Sequence, residues 1–449
     1  MTSVIGQPFL LGVNYWPRRK AMSWWADFDP GEVREEFALI RDLGLTHVRI
    51  FLLWESFQPA PDRVSVAALR DLRTVCDVAA ETGLQVQVTF FTGHMSGPNW
   101  APAWLIDRGR PARPGDRQLV SLAAPGGEPH PIHDMYTTPF VVQAEDSLLR
   151  AVCGELRDHP AVWAWSLGNE PDLFCQPADA ATGRAWVRAR TAAIRSIDPV
   201  RPVLIGLHTA DLEGDVGFRL DDIAAETDIS VMHGYSIYSA LARAPLDPDF
   251  VPFTAALAAA LAGRPVLYEE FGVNTQWPDG PSHWRDLRLP GGRARRAYFA
   301  SEEDAAGYVA AVLPRLVRVG SLGALVWCFS DYEPRLWDRP PCDFQVYERF
   351  FGLLRPDGSQ KPTADVLRAF ARTAPVVQPP ERPVELLASG ILAPGVLAPG
   401  VLAPADAYYR DPLRQMAQLY ERFGRLDLSP PARRLPPRAR ARARHRASS

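Results

Sequence analysis

The sequence predicts an α/β fold, a (β/α)8 TIM barrel followed by an irregular C-terminal extension and a basic tail. Three observations carry that expectation: a length of 449 residues, eight apolar runs of strand length, and amphipathic helical segments alternating with them.

The strands are expected at FLLGVNY (9–15), THVRIFLLW (46–54), LQVQVTFF (84–91), AVWAWSL (161–167), RPVLIGL (201–207), DISVMHG (228–234), RPVLYEE (264–270) and GALVWCF (323–329). Each is short, rich in β-branched or aromatic residues, and bounded by turn or polar residues. Between the first two, GEVREEFALIRDLG puts Val33, Phe37 and Ile40 on one helical face. VAALRDLRTVCDVAAETG does the same with Leu69, Leu72, Val75 and Ala79. Both segments stop at a glycine, Gly44 and Gly83, suited to a left-handed C-terminal cap. A later helix opens on Ser301 with Asp304 three residues on, and Pro314 is expected to kink or strain it. No dinucleotide-binding glycine turn or phosphate loop follows the first strand.

The barrel is expected to occupy 1–373. An extension over 374–429 contains the five-residue repeat GILAPGVLAPGVLAPAD (390–406), whose prolines disfavour a regular helix, and then a short helix over DPLRQMAQLYERFG. Residues 430–449, rich in arginine and proline, read as a disordered, solvated tail.

The net charge is −3, so no bulk attraction to nucleic acid is expected, and no run of 18 apolar residues suggests a membrane span. The N-terminal segment lacks the pattern of a secretory signal, and five cysteines without a C-x-x-C pair suit a reducing compartment; a cytoplasmic location is expected. His130 and His133 have metal-like spacing but no companion carboxylate cluster, and neither a metal nor another cofactor is expected. The oligomeric state is not legible.

In such a barrel the chemistry sits at the carboxyl ends of the strands. Glu170 closes the fourth strand and Glu270 the seventh, which brings two carboxylates from distant parts of the chain to one mouth. A pair of this kind is what glycosidic-bond hydrolysis needs, with one group to protonate the leaving oxygen and the other to serve the anomeric carbon. A separation of about 5 to 5.5 Å would mean retention of configuration, and about 6.5 to 9.5 Å inversion.

WSLGNEP at the fourth strand together with PVLYEEFG at the seventh resembles clan A of the glycoside hydrolases, and most of all glycoside hydrolase family five. Arg49 on strand two, His94 after strand three, Asn169 beside Glu170, His233 and Tyr235 on strand six and Trp327 on strand eight fit the same pattern in order. The resemblance spans about residues 8 to 373. Ser166 stands where the strict signature has an acidic or amide residue, and the Trp-Ser-Leu-Gly-Asn-Glu run also suits family two, whose usual ancillary β-sandwich domains this chain lacks.

The resemblance implies Glu170 as general acid/base and Glu270 as nucleophile. Asn169 would bond the sugar 2-hydroxyl, Arg49 and Tyr235 would hold the nucleophile ionised, and His94, His233 and Trp327 would contact substrate. Two adjacent glutamates end strand seven, and strand alternation points Glu269 and Glu270 to opposite faces; the resemblance favours Glu270, the one directly before Phe271-Gly272. It implies a retaining β-glycosidase acting on oligosaccharides, with β-mannosides the first expectation and exo action favoured. Endo-acting or β-galactosidase and β-glucosidase relatives are the alternatives, and a non-catalytic sugar-binding barrel the rival from another class.

Tryptophan faces stack on the apolar face of a pyranose. Trp16, Trp54, Trp100, Trp277, Trp284, Trp327 and Trp337 lie at or beyond strand ends, and Trp16, Trp54 and Trp327 are taken as substrate-binding candidates. Trp163, Trp165 and Trp186 read as packing residues, and His47 as structural. Glu55, Asp172, Asp331 and Glu333 read as loop or salt-bridge residues. The loop TGHMSGPNWAPAW is a candidate wall of the cleft.

Overall fold

All eight apolar runs pair as parallel strands in the computed structural model, which describes residues 4–111, 119–120, 131–288, 294–343, 345–381, 384 and 404–423. They are β1 (Leu10–Asn14), β2 (His47–Leu53), β3 (Gln85–Thr92), β4 (Val162–Asn169), β5 (Val203–Gly206), β6 (Ser230–His233), β7 (Val266–Phe271) and β8 (Gly323–Val326). The order β5-β4-β3-β2-β1-β8-β7-β6 wraps the sheet around. A bridge between His208 and His233 closes the seam between β5 and β6, where the His233 amide donates to the Leu207 carbonyl at 2.7 Å.

A helix follows each strand: α1 (Pro30–Asp42), α2 (Val66–Thr82), α3 (Pro139–Leu156), α4 (Ala180–Arg195), α5 (Leu220–Glu226), α6 (Phe250–Ala262), α7 (Glu302–Arg318) and α8 (Pro362–Ala371). Val33, Phe37 and Ile40 of α1 and Leu72, Val75 and Ala79 of α2 are buried, as their spacing requires. Gly44 and Gly83 follow these helices at φ +79° and +71°, where a side chain would be strained. Ser301 caps α7 by accepting from the Asp304 amide at 3.1 Å. The helix then runs on through Pro314 to Arg318, because Tyr308, Val309, Val312, Leu313 and Leu316 anchor it on both sides of that residue.

Inside the barrel an apolar layer of Ala164, Leu204, Val231, Leu267 and Leu325 fills the amino-terminal end. Above it lies a buried polar layer that includes Asn14, Arg49, Gln87, Thr89, Asn169, His233 and Glu269. Gly206 makes room for it, since a Cβ there would stand 2.9 Å from the His233 ring and 3.0 Å from the Arg49 guanidinium.

The end of β7 departs from regular alternation. Tyr268 pairs with Met232 but Glu270 with His233, so two residues on β7 face one on β6. This bulge turns Glu269 and Glu270 to the same side, which corrects the expectation of opposite faces.

After α8, residues 375–377 bond the main chain of Gln7 and Phe9. Two further helices, α9 (Pro404–Tyr409) and α10 (Pro412–Phe423), lie on the barrel; α10 covers the expected short helix. Residues 390–403 of the repeat, His130 and the 430–449 tail lie outside the described residues. No helix among the described residues is long and apolar enough to cross a membrane.

Candidate active site

A cleft of about 350 Å³ opens at the carboxyl ends of the strands, and Glu170, Glu270, His94, His233, Tyr235 and Trp327 are among its lining residues. Glu170 takes up the left-handed conformation, φ 47° and ψ 57°, directly after β4. That strained backbone ends the strand and sends the carboxyl into the cleft instead of along the sheet.

Arg49 is the hub beneath the two carboxylates. It is fully buried and donates to Asn14 at 3.1 Å, Thr89 at 3.1 Å, Asn169 at 2.9 Å and Glu270 at 2.5 Å. Its other terminal nitrogen lies 3.4 Å from Glu269. Tyr235 donates to the second oxygen of Glu270 at 2.9 Å. Glu269 bonds Gln87 and His233 inside the barrel and, unlike Glu270, does not line the cleft.

His233 joins the two halves of the site. Nδ1 lies 3.0 Å from Glu170 and Nε2 lies 2.9 Å from Glu269. Burial alone would lower its pKa, but the carboxylates of Glu270, Glu170 and Glu269 hold it up to about 9. Glu269 is likewise buried, yet Arg49 and His233 keep it below the usual carboxylate range. Burial raises Glu270 against His233 and Arg49, with the Glu170 charge adding to the rise. At Glu170 burial is outweighed by His208 and by the hydrogen bond from His233, which lower it. Three carboxylates thus face Arg49 and one imidazole, and the proton of the Glu170–His233 hydrogen bond belongs to that pair as a unit.

Asn169 accepts from Arg49 and donates to the His94 carbonyl at 3.0 Å, which leaves its second amide hydrogen for a ligand. The His94 ring meets Asn99 at 2.9 Å. His94, Met95, Ser96 and Gly97 form one wall of the cleft, whereas Trp100 of the same loop is buried.

Trp16 and Trp54 do not reach the cleft. Trp16 stacks on Phe51 at 5.0 Å between ring centroids, behind the wall that carries Trp327. Trp54 begins a short helix immediately after β2, which folds its ring beneath the chain; there it donates to Gln58 at 2.8 Å and packs on Trp104. Asp331 pairs with buried Lys361 at 2.7 Å and Glu333 with Arg18 at 2.8 Å. His47, buried, is lowered to about 4 by its burial.

Several lining residues escaped sequence reasoning: His208, Glu213, Tyr238, Arg295, Gln345 and Glu348. His208 follows an expected strand and could have been found by the rule that found Glu170. It bonds Asp172 at 2.9 Å. Arg295 comes from a hairpin (His283–Arg288 and Ala294–Phe299) between β7 and α7 and packs over Tyr238 and Tyr347. Burial raises Glu348 to about 7.

Among the described residues two clusters have metal-like composition, Glu170 with His233 and Glu270, and Asp172 with His208 and Asp211. In the first, both His233 nitrogens are engaged by carboxylates. In the second, one His208 nitrogen meets Asp172, while the Asp211 amide donates to the His208 carbonyl and the Asp211 carboxylate accepts from the His208 amide. In both clusters carboxylates already engage the imidazole.

In the first cluster a carboxylate oxygen of Glu170 and one of Glu270 lie within 4.8 Å of each other. The arrangement can place a small electrophilic centre between two carboxyl groups that share their surroundings with Arg49 and His233.

No family model matches this chain. A mannan endo-1,4-beta-mannosidase F from Aspergillus clavatus is 26% identical over 168 residues, which is 35% of this chain and 38% of that protein. The chain therefore aligns with well under half the length of this curated relative. Among solved structures, GH5_18 from Streptomyces cattleya in complex with GlcNAc is 25% identical with a TM-score of 0.68, covering 84% of this chain and 83% of that one. A variant of the same protein in complex with Manb1-4GlcNAc is 24% identical over equal shares, with the same TM-score of 0.68. The exo-beta-1,4-mannosidase Op5Man5 from Opitutaceae bacterium strain TAV5 is 25% identical with a TM-score of 0.65, covering 82% of this chain and 60% of that one.

Proposed function

From a chain that belongs with glycoside hydrolase family five of clan A, we propose a retaining, exo-acting β-glycosidase that removes β-linked mannose from short oligosaccharides. The observation that carries the reading is the approach of the Glu170 and Glu270 oxygens to within 4.8 Å, which favours double displacement over the wider spacing that a water between them would need.

Glu270, with Arg49 and Tyr235 as donors, attacks the anomeric carbon. Glu170 protonates the leaving oxygen with the proton held in its hydrogen bond to His233, and the glycosyl-enzyme forms. Glu170 then takes a proton from water, which attacks the same carbon and releases sugar of unchanged configuration. In this reading Asn169 bonds the 2-hydroxyl and Trp327 carries the ring.

Exo action is supported by the meeting of two loops at the cleft. Gly97, at φ +103°, packs so closely on Gln345 that a Cβ would stand 2.5 Å from its side chain. Both residues line the cleft, and their contact joins the two loops there. The mannoside assignment draws on the exo-β-1,4-mannosidase and mannanase relatives.

The test is hydrolysis of aryl β-D-mannoside, glucoside, galactoside and xyloside, with β-1,4-mannobiose and Manβ1-4GlcNAc, by wild type beside Glu270→Gln. Release of mannose by wild type alone is expected. Sugar binding without turnover across the whole panel would leave a non-catalytic barrel.

A further inference from the structure

We propose that Tyr408 and Tyr409, on the C-terminal helix α9, are positioning residues that set the leaving-group wall of the cleft. The inference rests on the glycosidase reading and goes beyond it, to a part of the chain outside the barrel.

The wall in question is the turn that follows β5. His208, Thr209, Ala210 and Glu213 of this turn line the cleft beside Glu170. His208 bonds Asp172, two residues after Glu170, at 2.9 Å, and Thr209 donates to the His233 carbonyl at 3.2 Å. A turn tied to the acid residue's own segment and to the histidine that shares its proton lies where the departing sugar must sit, since the general acid stands on the leaving-group side of the scissile bond.

The C-terminal helices hold the outer face of this turn. Tyr408 donates to the Leu212 carbonyl at 2.6 Å and Tyr409 to the Asp211 carbonyl at 3.0 Å. The Tyr409 hydroxyl also accepts from the Leu220 amide at 3.0 Å, which ties the turn to the start of α5. Arg219 stacks over the Tyr409 ring at 4.8 Å and bonds Asp406 at 2.7 Å. Tyr408, Asp211 and Leu212 are buried, so these bonds are shielded from competing water. On the next helix, Tyr420 packs on Phe253 of α6 at 4.7 Å and fixes the pair to the barrel. Two phenols thus fix the main chain of a catalytic wall that they never touch from within the cleft.

The experiment compares the full chain with Tyr408→Phe, Tyr409→Phe and the double variant. Each is assayed on a β-1,4 disaccharide and on the 2,4-dinitrophenyl glycoside of the same glycone, whose activated leaving group needs neither the wall nor the acid. Val75→Ala, in α2 and away from the turn, is the control for general destabilisation. Hydrogen exchange at amides 209–214 is measured on all of them.

For the double variant kcat/KM on the disaccharide is expected to fall about tenfold, mostly through KM, with less than about twofold change on the aryl glycoside. Amides 209–214 exchange faster, and Val75→Ala shows neither effect. An unchanged ratio between the two substrates, or an equal shift in Val75→Ala, overturns the proposal, as does unaltered exchange at the turn. If wild type hydrolyses neither substrate, the glycosidase reading falls by itself, and the exchange result still decides whether the tyrosines hold the turn.

Discussion

Arg49 on β2 lies 2.5 Å from Glu270 on β7, spanning the interior of the barrel. The same guanidinium bonds residues of β1, β3 and β4, so one side chain fixes the nucleophile candidate relative to three other strands. Lysine cannot reproduce that fork of donors. Arg49→Lys is therefore expected to cost about 3–5 kcal/mol, the range for breaking a buried ion pair, together with most of the activity. Urea unfolding of the variant checks this; a loss below about 1 kcal/mol would mean that Arg49 behaves as a surface ion does.

The Glu170–His233 pair sets the alkaline limit. His233 is raised from its ordinary value near 6.5 to about 9. Its protonated form, and the stability it brings, is therefore complete below 6.5 and lost as pH rises through about 9. Turnover of a poor leaving group should decline over the same range, and His233→Asn should decline at lower pH. Profiles of kcat/KM and of the unfolding midpoint from pH 5 to 10 test both. A wild-type alkaline limb unaffected by His233→Asn would contradict the shared proton.

Trp16, Trp54 and Trp327 should separate cleanly. Trp16→Phe and Trp54→Phe remove packing from the core and are expected to lower the melting temperature with KM unchanged. Trp327→Ala should raise KM and lower kcat. A change in KM for Trp16→Phe equal to that for Trp327→Ala would place Trp16 at the substrate.

These cases mark what the sequence could and could not disclose. Strand periodicity is local, and all eight barrel strands were legible, as were the Gly44 and Gly83 caps and the strand ends that carry Glu170 and Glu270. The bulge beside Glu269 was not, because it arises from register with β6 and β8 and not from composition. Trp16 and Trp54 sit at strand ends as foreseen, but the direction the chain takes next decides whether a ring faces sugar or core. Arg295 and Glu348 reach the cleft from long connections whose course depends on tertiary packing. The docking of Tyr408 on Leu212 links positions 196 residues apart, and no pattern in either segment announces it.

Glu269 and Glu270 can be told apart by rescue. Glu270→Ala should be inactive and regain turnover with azide, giving a glycosyl azide of inverted configuration. Glu269→Ala should lose stability, because His233, Arg49 and Gln87 are left facing an uncompensated gap, and azide should not restore it. Rescue of the Glu269 variant alone would reverse the assignment.

The most direct test of the central claim is to trap the covalent intermediate. Wild-type protein is treated with 2,4-dinitrophenyl 2-deoxy-2-fluoro-β-D-mannoside, digested and mapped by mass spectrometry. One fluoroglycosyl group on Glu270 is expected, formed with time-dependent inactivation in wild type and in Glu170→Ala alike, since dinitrophenolate leaves without a proton. A label on Glu269, or hydrolysis of β-mannosides with no covalent adduct and inverted product, would contradict it.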